Sequence, residues 1–219
     1  MNYLPCVEVE SATPATATVI WLHGLGADGH DFEPIVPELK LPAELAVRFI
    51  FPHAPSIPVT INNGDVMPAW YDILSIDFER EVDEEQLLAS AADVQALIDR
   101  EIERGIDSTR IVIAGFSQGG AVGYQAALSY KKPLAGLLAM STYFATVNII
   151  DVYPANEQLP IEIHHGSNDS VVPEQLAINS LEYLKMIGFK PNYTSYPMDH
   201  SVCLDQINNV SEWLQKTLA

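Results

Sequence analysis

Short, uniformly apolar runs alternate along this chain with stretches whose apolar residues recur every three to four positions. The runs Thr18–Leu22, Arg48–Phe51, Arg110–Ala114, Leu134–Met140, Ile161–His165 and Asn192–Tyr196 predict strands. Several are apolar at successive positions, as a strand must be when both faces of its sheet are covered. The clearest helix spans Glu84–Arg104, where Leu87, Ala91, Val94, Ile98 and Ile102 share one face. Asp83 can cap its start and Gly105 can close its end. A second helix runs from Pro173 to Ile187, with Leu176, Ser180, Leu184 and Ile187 on one face and Gly188 after it. A third is Leu204–Leu218, and a fourth follows Ser117 directly. This alternation predicts an α/β fold, with one mostly parallel sheet and helices on both faces, in a single domain over residues 1–219.

One segment breaks the alternation. Pro52–Leu74 is rich in proline and contains Asn62-Asn63-Gly64. It predicts a small hairpin through Val59–Ile61 and Asp65–Met67. Behind it, Trp70 and Tyr71 can be either apolar anchors of a long loop or part of a substrate wall.

Composition narrows the function. The chain has 219 residues and a formal net charge of −18, a field that repels phosphate backbones and anionic lipid headgroups. Nucleic-acid binding and stable membrane insertion are therefore not expected. The uncharged runs Ile111–Tyr130 and Pro133–Ile150 are broken by glycines, Pro133 and polar residues, so they read as buried strands with adjoining segments. The first residues lack a basic region and a long apolar core, so no secretory signal is expected. The two cysteines, Cys6 and Cys203, are too few for a disulfide framework, which points to the cytoplasm.

The chemistry centres on Gly115-Phe116-Ser117-Gln118-Gly119. Ser117 follows a predicted strand and precedes a helix, the setting in which G-x-S-x-G presents a nucleophile on a sharp turn. A serine hydroxyl needs a base. With the chain order serine, acid, histidine, His164, His165 and His200 are the histidines that qualify. His200, in a loop between a strand and the last helix, is the strongest of them. Asp169 lies in the turn after Ile161–His165 and is the expected acid; Asp151 sits in an irregular stretch, and Asp199 adjoins His200 too closely to orient it. Backbone N–H groups must face the oxyanion, and the glycine-flanked Leu25 and the residue after the serine, Gln118, are placed to supply them. Gln118 is expected to act through its backbone rather than its side chain. No metal-ligand spacing such as H-E-x-x-H is present, and no metal or organic cofactor is expected.

The segments "WLHGLGADGHDF", "FPHAPSIPVTINNGDVMPAWYDI", "GFSQGGAV", "HGSNDSVVP" and "YPMDHSV" give the chain a resemblance to the phospholipase/carboxylesterase family, which includes acyl-protein thioesterases. The likeness is expected to be greatest toward bacterial carboxylesterases. The resemblance implies an α/β-hydrolase fold without a large cap domain. It also implies Ser117, Asp169 and His200 as a catalytic triad, with Leu25 and Gln118 as the oxyanion hole. By the same resemblance, Met67, Trp70, Tyr143 and Val171 line an acyl groove. The expected activity is hydrolysis of carboxylic esters or thioesters through an acyl-serine, with short to medium acyl chains preferred. Lysophospholipase, acyl-protein thioesterase and a non-catalytic binding scaffold are the alternatives. The expected partner is an acylated ester substrate, with a homodimer allowed.

Overall fold

The computed structural model describes residues 3–76 and 80–219. In chain order its elements are β1 (Cys6–Val9), β2 (Ala17–Leu22), α1 (Ile35–Glu38), β3 (Val47–Pro52), β4 (Ser56–Val59), β5 (Asp65–Pro68), β6 (Ile73–Ser75) and β7 (Glu81–Val82). There follow α2 (Glu84–Glu103), β8 (Ile111–Phe116), α3 (Gln118–Leu128), β9 (Gly136–Met140), β10 (Ile161–Gly166), α4 (Glu174–Met186), β11 (Asn192–Tyr196) and α5 (Leu204–Thr217). The main sheet has the order β1-β3-β2-β8-β9-β10-β11. β1 runs antiparallel to β3, and the other neighbours are parallel.

The period-two geometry of a strand explains its uniformly apolar sequences. Along β2, Val19 and Trp21 enter a core shared with α1 and α5, whereas Ile20 and Leu22 enter the opposite core beneath α2 and α3. Val112 and Ala114 of β8 likewise face the first core, and Ile111 and Ile113 the second. Helix α3 is buried along its whole length, so its Gly- and Ala-rich sequence lets it lie close against the sheet. Helix α2 begins as expected, with the Asp83 carboxylate accepting from the Gln86 N–H at 3.0 Å.

Three local expectations need correction. The hairpin exists, but its first strand is Ser56–Val59 rather than Val59–Ile61, because Thr60–Asn62 tightens into a 3-10 turn. The turn is completed by Asn63 and Gly64, both at positive φ. On α4 the buried face is Ala177, Ser180 and Leu184, one step from the predicted stripe, which leaves Ile187 exposed. Strands β1, β6 and β7 were not signalled, since runs of two to four residues are too short to carry an apolar periodicity.

Order within the sheet positions the site. From β2 the chain passes to β3 on one side and returns at β8 on the other, so the carboxyl ends of β2 and β8 open onto a crevice. Leu22 and Gly115 are partners there. Such a reversal is where open α/β sheets present their loops to ligands. The amino ends carry charge instead. Glu101 of α2 is fully buried and accepts from Thr18 Oγ1 at 3.0 Å, Arg48 Nη1 at 2.7 Å and Arg104 Nη1 at 2.9 Å. Arg48 and Arg104 also bind Glu10, and Arg100 and Arg104 bind Glu8 beside β1. At the opposite edge, Glu174 accepts the hydroxyls of Tyr193 and Ser195 on β11.

Candidate active site

Ser117 stands between β8 and α3 at φ 53° and ψ −122°, a conformation that costs a non-glycine residue about 1–3 kcal/mol. Its backbone is pinned on both sides. Its N–H donates to Met140 O at 2.9 Å, and its carbonyl accepts from Thr142 Oγ1 at 2.6 Å. The flanking glycines are required by space. A Cβ on Gly115 would lie 2.5 Å from Gly119 O, and one on Gly119 would lie 2.5 Å from His23 O.

The loop after β11 brings His200 Nε2 to 2.9 Å from Ser117 Oγ. Its Nδ1 lies 2.7 Å from Asp169 Oδ2. A carboxylate only accepts, so Nδ1 carries the proton and Nε2 is left to receive one. Asp169 is buried in the turn after β10, where its Oδ1 accepts the N–H groups of Val171 at 2.9 Å and Val172 at 2.8 Å. The rival groups face other partners, although His165 Nε2 also lies 3.5 Å from Asp169 Oδ2. Asp199 is exposed and accepts from Ser201 Oγ at 2.6 Å, and His164 Nε2 faces Glu162. His165 Nε2 donates to Val172 O at 2.8 Å, and burial lowers the pKa of this imidazole below its ordinary value.

The loop after β2 completes the reacting end. Gly26, at φ 77°, turns the chain so that its own N–H binds Pro68 O at 2.8 Å. Among the described residues, the N–H groups of Leu25 and Gln118 have no acceptor, and both residues line the same cavity as Ser117. His23 sits beneath this loop. Its Nδ1–H donates to Gly24 O at 2.7 Å and its Nε2 accepts the Ala54 N–H at 3.1 Å. Burial lowers its pKa and keeps it neutral.

The cavity measures about 430 Å³ and carries Ile61, Tyr71, Ile73, Ile76, Tyr143 and Val171 on its walls. Arg80 places its guanidinium 5.3 Å from the Tyr143 ring centre and donates to Val171 O. Tyr143 and Val171, both expected on the acyl side, therefore line the cavity. Met67 and Trp70 do not. Trp70 is 1% exposed, with its indole N–H donating to His23 O at 2.9 Å, so it is an anchor. The thioether of Met67 instead lies 3.2 Å from Asn62 Nδ2.

Sequence reasoning also undervalued the side chain of Gln118. Its Oε1 accepts the Trp70 N–H at 2.8 Å, and its Nε2 donates to Tyr71 O at 2.7 Å. One side chain thus ties the wall-bearing segment to the serine turn. Nothing in a local G-x-S-x-G pattern signals this long-range bond. Arg80, Ile73 and Ile76 were missed because they lie on a segment without strong periodicity.

A second cleft of about 400 Å³ lies on the other flank of His200, walled by Phe32, Pro34, Ile35, Phe116, Val202 and Ile207. Phe116 separates the two spaces, with its ring centre 4.8 Å from that of His200 and 5.5 Å from that of Phe32.

A parallel sheet bearing a strained serine turn at its switch point defines the α/β hydrolases, and comparison with known proteins agrees. The phospholipase/carboxylesterase family matches residues 4–218, and the chain belongs to that family. It is 40% identical to acyl-protein thioesterase 1 of Neurospora crassa over 98% of this chain and 92% of the relative. It superposes on acyl-protein thioesterase 2 of Zea mays with a TM-score of 0.86 at 27% identity, covering 99% of this chain and 100% of the other. A Bacillus cereus carboxylesterase shares the fold alone, with a TM-score of 0.80 at 16% identity over 98% of this chain and 94% of that one. The chain is a hydrolase of the esterase and thioesterase class acting on acylated substrates. Among the described residues, no helix is long and apolar enough to cross a membrane.

Proposed function

We propose that this protein hydrolyses carboxylic esters and thioesters by acyl transfer through Ser117, with His200 as base and Asp169 as its orienting acid. The observation that carries this reading is the continuous chain of contacts, 2.9 Å from Ser117 Oγ to His200 Nε2 and 2.7 Å from Nδ1 to Asp169 Oδ2. His200 takes the serine proton as Oγ bonds to the acyl carbon. The oxyanion then accepts from the Leu25 and Gln118 N–H groups. As the bond to the leaving oxygen or sulfur breaks, His200 returns its proton to that atom. Water next gives a proton to His200 and its hydroxyl to the acyl carbon, and Ser117 regains the proton as the free acid departs. Asp169 stays ionised throughout and stabilises the imidazolium.

The acyl chain occupies the cavity walled by Ile73, Tyr143 and Val171. Its 430 Å³ lies toward the low end of ligand pockets, which span roughly 300–1,000 Å³, so short to medium acyl groups fit it best. The thioesterase relatives support an acylated protein cysteine as one physiological substrate. Free thiols at Cys6 and Cys203 fit a reducing cytoplasm. The test is a fluorophosphonate probe with aryl esters of increasing chain length. Labelling that vanishes in Ser117→Ala, with rates that fall beyond medium chains, is expected. Labelling that persists in the variant, or rates that rise steadily to long chains, overturns the reading.

A further inference from the structure

We infer that the second cleft beside His200 receives the leaving group, and that it favours an alcohol or thiol bearing a positive charge. This rests on the acyl-transfer reading above. Stereochemistry separates the two spaces. The carbonyl carbon must bond to Ser117 Oγ while its oxygen faces the Leu25 and Gln118 N–H groups, and these three residues line the first cavity only. The departing atom must face the group that protonates it, His200, which lines both spaces. A leaving group larger than a few atoms therefore extends along Phe116 toward Ile35, Val202 and Ile207.

Charge defines its class. Glu38 lines the cleft and Asp31 stands where it meets the first cavity, both exposed; among the described residues no lysine or arginine lines the cleft, whereas Arg80 lines the first cavity. Neither carboxylate has an ion-pair partner among the described residues. The net charge of −18 reinforces the same sign. An apolar floor with an unpaired carboxylate rim complements an amphipathic cation, such as a thiol in a basic peptide. It disfavours polyanionic thiols.

The experiment compares butanoyl thioesters of thiocholine, mercaptoethanol and mercaptopropionate, each rate divided by its rate with hydroxide. At low ionic strength, the wild-type kcat/KM for the cationic thiol should exceed that for the anionic one about tenfold, a size set by two solvent-exposed carboxylates. In Asp31→Asn/Glu38→Gln the ratio should fall below about threefold, and high salt should have the same effect on the wild type. Turnover of the neutral thioester without any charge preference, or a preference that survives in the double variant, overturns this inference while sparing the acyl-transfer reading. No turnover of any of the three overturns that reading itself. A cationic acyl chain on a neutral thiol is the remaining arm. If its advantage exceeds that of the cationic leaving group, the cleft holds the acyl side and the assignment is wrong.

Discussion

The two ends of the main sheet use buried charge in opposite ways. At the amino ends of β2 and β3, Glu101 is closed on every side by Thr18, Arg48 and Arg104, and nothing is left to react. At the carboxyl ends, Asp169 is also satisfied, by the Val171 and Val172 N–H groups and by His200. There, however, the chain of contacts ends on a hydroxyl facing a cavity, beside two backbone N–H groups with no acceptor among the described residues. The same chemical components make a fastener where the network closes and, under the proposed function, a reaction centre where it is left open. Strained backbone occurs at both ends: Ser117 and Ser141 hold a positive φ after β8 and β9, and Ala46 does so before β3.

The sharpest break of the comparison removes the proposed nucleophile. Ser117→Ala should lower kcat by about 10⁶-fold, as loss of a triad nucleophile does elsewhere, while the thermal midpoint stays close to that of the wild type. Ester turnover and calorimetry on one sample check both. At the closed end the effects should reverse. Glu101→Gln leaves Arg48 and Arg104 without their buried partner and should cost about 3–5 kcal/mol of stability, with kcat per folded molecule retained. Urea unfolding beside an active-site titration reads this. A loss of activity larger than the loss of folded protein would show that the two ends are coupled.

Gln118→Leu tests the link between the serine turn and the cavity wall. It strips partners from Trp70 N and Tyr71 O and should cost about 1–3 kcal/mol, with a raised KM for medium-chain esters. Chain-length kinetics separate this from a loss of kcat alone. The smallest effect expected is a pH dependence. His23 and His165 are kept neutral by burial, below their ordinary value of 6.5, so the unfolded chain binds protons that the folded chain refuses. Their contribution is full above pH 6.5 and is lost as pH falls from there toward their lowered folded-state values. Denaturation midpoints across this window should decline on acidification, and less steeply in His23→Asn.

What the sequence disclosed follows from how each feature is encoded. Strands such as β2 and β8 announce themselves because both faces are buried, and the Asp83 cap because its pairing is local. That Ser117, Asp169 and His200 come together was legible because loops following strands gather at one edge of a parallel sheet. Trp70 was ambiguous for the opposite reason: a large aromatic reads the same in a wall as in a core, and only its bond to His23 O decides. The Gln118 clamp spans dozens of residues, and periodicity cannot report such a contact. β1 escaped notice because its pattern Cys6-Val7-Glu8-Val9 is that of a half-covered strand too short to stand out.

The carboxylate that holds the outer hydroxyls of β11 has a consequence for handling the protein. Any sheet with open margins can add a foreign strand, the first step toward fibrous precipitate. Here Glu174 ties Tyr193 and Ser195 down on one margin, while Glu8 and its arginines crowd the other. Both margins thus carry fixed charged groups where an incoming chain would have to dock, which favours a protein that stays dispersed at high concentration near neutral pH.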